Sequence, residues 1–247
     1  MDAVRDVVLL HGWGMNAAVW KDLAALLSPQ YRVRACDLPG YGASPRCAPY
    51  TLDAVAEAVA RAAPARCHVV GWSLGGLIAL SWARAVPEQT ARLALIAATP
   101  SFARRAGWHH ALDTAVLGEF ARALAADRAG VLRRFVSLQA RGDDSARAVA
   151  RQLRATLAAR AEPDAAALAG GLDILLDTDL RESLADIRQH ALVLQGDRDG
   201  LVPPAAAKHL SRRLPGARLV MVGGAAHAPF LSQPQRVAAA LREFFDG

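Results

Sequence analysis

The 247-residue sequence predicts an α/β fold, in which a mostly parallel β-sheet is flanked by helices. Short continuous apolar runs, such as residues 7–10, are typical of strands that are buried on both faces of a parallel sheet. Segments with helical periodicity separate these runs, and this alternation predicts right-handed βαβ units. The length fits one large domain with an inserted subdomain.

The elements alternate through the first 97 residues and again after residue 179. The predicted strands are residues 7–10, 31–35, 67–70, 92–97, 191–195 and 218–222. The predicted helices are residues 17–27, 51–62, a segment ending at Val86, 204–214 and 234–245.

Between about residues 101 and 179 no strand-like run occurs. The segment has Ala, Leu and Arg at helical spacing, broken by glycines and by Pro163, so we expect about four helices. Because the strand pattern resumes afterwards, the sequence predicts a single domain over residues 1–247 with a helical cap inserted at about 101–179.

Composition excludes several classes of protein. Hydrophobic residues make up 53% and charged residues 21%, which is ordinary for a globular protein. No apolar run approaches the roughly 18 residues of a membrane helix, and the charged N-terminus does not resemble a signal peptide. Cys36, Cys47 and Cys67 lack metal-ligand spacing and are interpreted as reduced thiols. We therefore expect a cytoplasmic protein with no membrane partner, metal or cofactor.

The positive charge is concentrated in the predicted cap. Residues 101–160 contain eleven arginines, no lysine and five acidic residues, which equals the whole net charge of +6. Neither an aromatic single-strand platform nor a helix-turn-helix pattern accompanies these arginines, so we expect no nucleic-acid partner. A basic face for an acidic partner and a merely solvated helix surface remain the two interpretations.

The pattern G-x-S-x-G at Gly71, Ser73 and Gly75 stands between the strand 67–70 and a helix. In that context the serine lies on a sharp strand-to-helix turn, with its hydroxyl exposed above the sheet. Serine is a weak nucleophile near neutral pH and needs a base held by a third group. Ser73 is the candidate nucleophile.

His227 is the candidate base because it follows the last predicted strand on a loop of small residues. The other histidines fit less well. His68 lies in a strand, His190 precedes one, His11 lies on the loop after the first strand, and His109, His110 and His209 are predicted on helices.

The chain order Ser, Asp, His expected for such a site places the acid after residue 195. Asp199 is favoured because it lies farther past the strand, whereas Asp197 would cap the turn or pair with Arg198. Two backbone donors are needed for an oxyanion, and we expect them from Leu74, next to the serine, and from Trp13 in the loop after the first strand.

Together these motifs resemble the α/β-hydrolase superfamily over nearly the whole chain. The segments around Trp13, Trp72, Phe135–Gln139 and Gly170 more narrowly resemble the pimeloyl-[acyl-carrier protein] methyl ester esterase family. That resemblance implies hydrolysis of the methyl ester of a carrier-bound pimeloyl chain in biotin synthesis, without a cofactor. It implies substrate contacts from Trp13, Ser73, Leu74, Phe135, Gln139 and His227, and carrier-protein contacts from Arg134, Arg147 and Arg151.

Helical spacing agrees with some of these implied substrate and carrier contacts. Phe135 and Gln139 are four residues apart, on one helix face, where they line a pocket or simply pack. Arg147, Arg151 and Arg154 also share one face. The sequence departs from the family at the N-terminus: the family usually has a further short strand or hairpin before the first apolar strand, and here only a few residues precede Val7.

Three other functions remain compatible with the sequence. The first is a general carboxylesterase that acts on small free esters. The second is a non-catalytic ligand-binding member of the fold, and the third is an acyltransferase that excludes water.

Overall fold

A computed structural model of the protein describes residues 4–247 and contains one six-stranded sheet. The strands are β1 (Asp6–Leu10), β2 (Arg32–Cys36), β3 (Cys67–Trp72), β4 (Thr90–Ile96), β5 (Ala191–Gly196) and β6 (Arg218–Val222). They pair in the order β2–β1–β3–β4–β5–β6, and each pair is parallel. The predicted α/β fold with a parallel sheet is confirmed.

The helices cover both faces of the sheet and its carboxyl end. They are α1 (Lys21–Leu27), α2 (Leu52–Ala62), α3 (Leu74–Ala85), α4 (Thr114–Ala126), α5 (Arg128–Ala140), α6 (Ala146–Ala158), α7 (Ala165–Asp177), α8 (Pro204–Arg213), α9 (Pro229–Ser232) and α10 (Pro234–Asp246). Within residues 4–247 no helix is both long enough and apolar enough to cross a membrane. The departure expected at the N-terminus involves residues 1–3, which lie outside the described part of the chain.

Successive strand side chains point to opposite faces and fill two cores. Val8 and Leu10 of β1 join the core under α2, α3 and α8, whereas Val7 and Leu9 join the core under α1 and α10. Since both faces are covered, the inner strands β1, β3 and β5 are buried almost throughout, and their short apolar runs made them recognisable in the sequence. The edge strand β2 is largely exposed and contains Arg32 and Arg34.

Helices α4 to α7 follow one another between β4 and β5, and we call them the cap helices. The segment before α4 differs from prediction. His109 and His110 are not helical: they lie in an irregular stretch, in which Arg105 and Trp108 exchange backbone hydrogen bonds. The Asp113 side chain accepts from Ala115 N at 2.9 Å, so α4 begins only at Thr114.

The predicted helix 17–27 is also interrupted. Residues Ala17–Trp20 form a 3₁₀-helix, and the α-helix begins at Lys21. The Asn16 side chain accepts from Ala18 N at 3.0 Å and Asp37 accepts from Ala17 N at 2.7 Å, and these two bonds hold the tighter turn.

The turn from β3 to α3 brings strand and helix into very close approach. A Cβ atom at Gly71 would lie 2.3 Å from Gly75 O, and one at Gly75 would lie 2.3 Å from Leu10 O in β1. Glycine is therefore required at both positions for α3 to start directly above β1 and β3.

His11 lies immediately after β1 and is fully buried. Its Nε2 accepts a hydrogen bond from Leu38 N at 3.0 Å, so the proton of the neutral ring is on Nδ1, which lies 2.8 Å from Gly12 O. Burial lowers the pKa of His11 to about 4, because the charged ring would lose its hydration.

We expect Gly75→Ala to reduce the free energy of unfolding by about 1–3 kcal/mol, because the new methyl group must displace the β1 backbone. Urea denaturation followed by circular dichroism measures this. The matched control is Gly200→Ala, since a Cβ atom at Gly200 meets nothing within 4 Å. Equal stability of the two variants would contradict the close approach.

The lowered pKa of His11 predicts a loss of stability in acid. Below pH 6.5 this histidine is protonated in the unfolded chain, whereas in the folded protein it stays neutral down to about pH 4. Proton binding therefore stabilises the unfolded state relative to the folded state as the pH falls. Between pH 7 and pH 5 the contribution is about 2 kcal/mol. A His11→Gln variant should lose that much less stability than the wild type over this range in urea denaturation. The same pH dependence in both proteins would exclude a neutral, buried His11.

Candidate active site

Ser73 stands at the junction of β3 and α3 in a backbone conformation that is rare outside glycine. Its φ is 55° and its ψ is −118°. Two hydrogen bonds hold it there: Ser73 N donates to Ile96 O at 3.0 Å, and Ser73 O accepts from Gly76 N at 2.8 Å. Strain of this kind persists only where the surroundings over-determine the geometry, as they do at functional sites.

The side chain of His227 lies between Ser73 and Asp199. His227 Nε2 lies 2.9 Å from Ser73 Oγ, and His227 Nδ1 lies 2.9 Å from Asp199 Oδ2. Because a carboxylate only accepts, Nδ1 carries the proton and Nε2 is left to accept from the hydroxyl. The exposed fractions are 3% for Ser73, 4% for Asp199 and 1% for His227, so the whole chain of hydrogen bonds is shielded from water.

Asp199 is held by two donors from the loop after β5 and by one from β5 itself. Its Oδ1 accepts from Leu201 N at 2.8 Å and from Val202 N at 2.9 Å, and its Oδ2 accepts from Gln195 Nε2 at 3.0 Å. Sequence reasoning did not identify Gln195. The available signal was an amide side chain at the end of the otherwise apolar strand β5, where it is fully buried.

The competing carboxylate, Asp197, points elsewhere. It accepts from Gly224 N at 2.8 Å and so bridges to the His227 loop. The suggested pairing of Asp197 with Arg198 is wrong, because the Arg198 guanidinium pairs with Asp144 of the loop between α5 and α6.

The backbone of His227 is fixed independently of its ring. Trp72 Nε1 donates to His227 O at 2.7 Å, and His227 N donates to Gln139 O of α5 at 3.3 Å. Trp72 itself packs edge-on against Trp20 and Phe230. Its position before the serine was noted from sequence, but its contact with the histidine loop was not.

The two expected oxyanion donors flank Ser73. Leu74 is the first residue of α3, so its N–H has no acceptor within the helix. On the other side, Gly12 is so close that a Cβ atom there would lie 3.2 Å from Ser73 Cβ. Gly12 O accepts from Met15 N at 3.2 Å and lies 2.8 Å from His11 Nδ1. Because the C=O and N–H groups of a trans peptide point in opposite directions, the Trp13 N–H points away from Met15 and His11. Within residues 4–247 it meets no acceptor.

Phe135 and Gln139 lie on the buried side of α5. The Phe135 ring packs edge-on against Trp13, with centroids 5.0 Å apart. Gln139 is fully buried, and among the described residues neither its Nε2 nor its Oε1 has a hydrogen-bond partner. An unpaired buried amide is costly, and this cost falls when a ligand pairs with it.

The three arginines expected to contact a carrier lie on two cap helices. Arg134 of α5 pairs with Glu119 at 3.6 Å, and its guanidinium lies over the Phe120 ring. Arg147 and Arg151 are exposed on α6. Arg147 also lines a groove of about 330 Å³ between α5 and α6, together with Arg141 and Arg154.

In the described part of the chain, no group of three or more His, Cys, Asp or Glu side chains is arranged to hold a metal ion. Cys36, Cys47 and Cys67 are free thiols. Burial raises the pKa of the Cys67 thiol to about 12, which keeps it protonated and unreactive.

Comparison with solved structures identifies the same fold. An esterase from Exiguobacterium antarcticum superposes with a TM-score of 0.88, covering 100% of this chain and 94% of that one at 23% identity. A bromoperoxidase from Bacillus anthracis also gives a TM-score of 0.88, covering 99% and 92% of the two chains at 20% identity. At these identities the likeness concerns the fold alone.

Comparison of sequences finds relatives with higher identity than these solved structures. A pimeloyl-[acyl-carrier protein] methyl ester esterase from Aromatoleum aromaticum is 43% identical, with 98% of each chain covered. Proteins of the same name from Aeromonas hydrophila and Xanthomonas campestris are 42% and 44% identical, covering 97% and 96% of this chain and 94% of each relative.

The family model described as "Alpha/beta hydrolase family" matches residues 7–240. The resemblance drawn from the motifs is thereby confirmed. The chain belongs to the alpha/beta hydrolase family.

Proposed function

We propose that the protein is a serine carboxylesterase that hydrolyses the methyl ester of pimeloyl-[acyl-carrier protein] and releases methanol, as a step of biotin synthesis. The buried hydrogen-bonded chain of Ser73, His227 and Asp199 carries the proposed reaction type. The substrate is proposed from the relatives named for this activity, which are 42–44% identical over nearly the whole chain.

In the first half of the proposed reaction, Ser73 Oγ attacks the ester carbonyl carbon while His227 Nε2 takes the hydroxyl proton. The distance of 2.9 Å between these two atoms suits direct proton transfer. Asp199 holds the ring with Nδ1–H toward its carboxylate and stabilises the imidazolium that forms. It does not itself become protonated.

The tetrahedral oxyanion is then bound by the N–H groups of Trp13 and Leu74. Both are preorganised, one by the His11–Gly12 hydrogen bond and one by the start of α3. A donor fixed in this way loses no reorganisation energy when charge develops.

Collapse of the intermediate breaks the bond to the methoxy oxygen, which takes the proton from His227 Nε2 and leaves as methanol. Water then attacks the acyl group on Ser73, with His227 again as the base. The products are the free carboxylate of the carrier-bound chain and regenerated Ser73. Because water and these side chains suffice, we propose no metal or cofactor.

The acyl chain is proposed to contact Trp13, Ser73, Leu74, Phe135, Gln139 and His227. The paired rings of Trp13 and Phe135 supply an apolar wall, and the unpaired amide of Gln139 supplies a donor and an acceptor. We further propose that residues 1–247 form one domain in which the insertion at about 101–179 covers this pocket.

The carrier protein is proposed to bind through Arg134, Arg147 and Arg151. An acidic partner would be attracted by the arginine-rich cap, and such pairs mainly accelerate encounter and fix orientation. The cytoplasmic location and the absence of nucleic-acid and membrane partners stay predictions from the sequence.

We expect Ser73→Ala to lower kcat for a short p-nitrophenyl ester by at least about 10⁴-fold, because the nucleophile is removed while the fold is kept. A fluorophosphonate should label the wild type with one adduct per chain and leave Ser73→Ala unlabelled. Ser211→Ala is the control, since Ser211 lies half-buried on α8 and its hydroxyl donates to Lys208 O. Substantial turnover by Ser73→Ala would reject the proposed nucleophile.

For the carrier surface, the double variant Arg147→Glu with Arg151→Glu should lower kcat/KM for the carrier-bound methyl ester by about 10-fold or more at low ionic strength. Added salt should weaken the wild-type reaction toward the variant. Hydrolysis of the short free ester should be unaffected, because that substrate is too small to reach the exposed face of α6.

The double variant Arg212→Glu with Arg213→Glu makes the same charge change on exposed side chains of α8 and serves as the control. Equal losses in this control and in the α6 variant, or turnover that is indifferent to salt, would favour a general carboxylesterase of small free esters.

A further inference from the structure

Asp143 is a buried carboxylate in the loop between α5 and α6, outside the proposed triad. Its exposed fraction is 7%. Asp143 Oδ2 accepts from Ala226 N at 2.9 Å, and its Oδ1 accepts from Ser145 N at 2.7 Å. Both oxygens are thus engaged by backbone donors, one from Ser145 directly before α6 and one from the residue before His227.

The Ala226 bond is one of two consecutive bonds from the histidine loop to the cap. The next amide, His227 N, donates to Gln139 O at the end of α5. These neighbouring donors fix two successive peptide planes, Ala225–Ala226 and Ala226–His227. The carboxylate is the stronger of the two acceptors because it is charged, and its distance to the amide is shorter than the 3.3 Å of the carbonyl contact.

Further contacts bind the same loop to its surroundings. Asp144 N donates to Gly224 O at 2.9 Å, and the Asp144 side chain pairs with Arg198 near the protein surface. The loop of residues 141–145 therefore touches both the histidine loop and the loop that carries Asp199. Of its side chains, Asp143 is the one that reaches the backbone beside His227.

We propose that Asp143 is a positioning residue for the reaction proposed above, on which this inference rests. By accepting from Ala226 N, its carboxylate holds the Ala225–Ala226 peptide directly before His227 and so keeps His227 Nε2 at hydrogen-bonding distance from Ser73 Oγ. Because Asp143 also accepts from Ser145 N directly before α6, the placement of this cap helix and the placement of the proposed base are linked through one side chain.

The test is Asp143→Asn, which keeps size and shape but replaces one acceptor oxygen by an NH₂ group. Two backbone N–H groups then compete for a single oxygen, and the bond to Ala226 weakens. We expect kcat for a short p-nitrophenyl ester to fall about 10- to 100-fold with KM within about 2-fold, because the base is misplaced while the pocket is kept. The rate of fluorophosphonate labelling of Ser73 should fall in parallel.

Asp144→Asn is the matched control, since it makes the same change one residue away on an exposed side chain. It should retain kcat within about 2-fold. Ser73→Ala, assayed beside both variants, separates the proposed function from the proposed role of Asp143. Turnover without Ser73 would overturn the proposed function. An inactive Ser73→Ala together with a fully active Asp143→Asn would overturn the role of Asp143 alone. A loss confined to KM would also overturn it.

A measurement on the wild type covers the case in which Asp143→Asn does not fold. The Ala226 amide proton should exchange slowly with solvent in hydrogen-exchange NMR, as slowly as that of His227. Rapid exchange at Ala226 beside a protected His227 would show that the Asp143 bond is not maintained, and the proposal would fail.

Discussion

The hydrogen bond of 2.9 Å between His227 Nε2 and Ser73 Oγ is the contact on which the rest of the proposed active site depends. It joins residues 154 positions apart in the chain, one at the end of β3 and one after β6. A parallel sheet makes this possible because the carboxyl ends of its strands meet at one edge. The contact requires a serine raised above the sheet, and that in turn requires the close approach of β3, α3 and β1 that only glycine at positions 71 and 75 permits.

Main-chain hydrogen bonds hold most of the groups that form this site. Asp199 is held by two backbone amides, and His227 is held through its own amide and carbonyl. The fully buried His11 stays neutral because burial lowers its pKa to about 4, so near pH 7 it donates to Gly12 O and accepts from Leu38 N without change. A site organised in this way keeps its donors in place before substrate arrives, which is the condition for electrostatic stabilisation of an oxyanion.

Much of this could be predicted from sequence because the signals are local. Buried parallel strands are short apolar runs, and Ser73, Asp199 and His227 each follow such a run in the expected order. The family resemblance added Phe135 and Gln139 as substrate contacts, and this role stays a prediction. What sequence reasoning missed depends on contacts between distant segments. Gln195 supports Asp199 from inside a strand, and Asp143, read only as one acid among arginines, meets Ala226 across 83 positions. His109 and His110 are predicted on helices from the sequence because the segment around them has the composition of the cap helices. Asp113 caps α4 at Thr114, so both histidines precede the helix.

The proposed carrier-bound substrate can be tested by comparing kcat/KM for two methyl esters of the same acyl chain, one attached to the carrier protein and one free. We expect the wild-type enzyme to prefer the carrier-bound ester by at least about 10-fold at low ionic strength, because arginine-rich cap helices would attract an acidic carrier protein. Equal kcat/KM for the two esters would contradict the carrier-bound substrate and leave an esterase of small free esters.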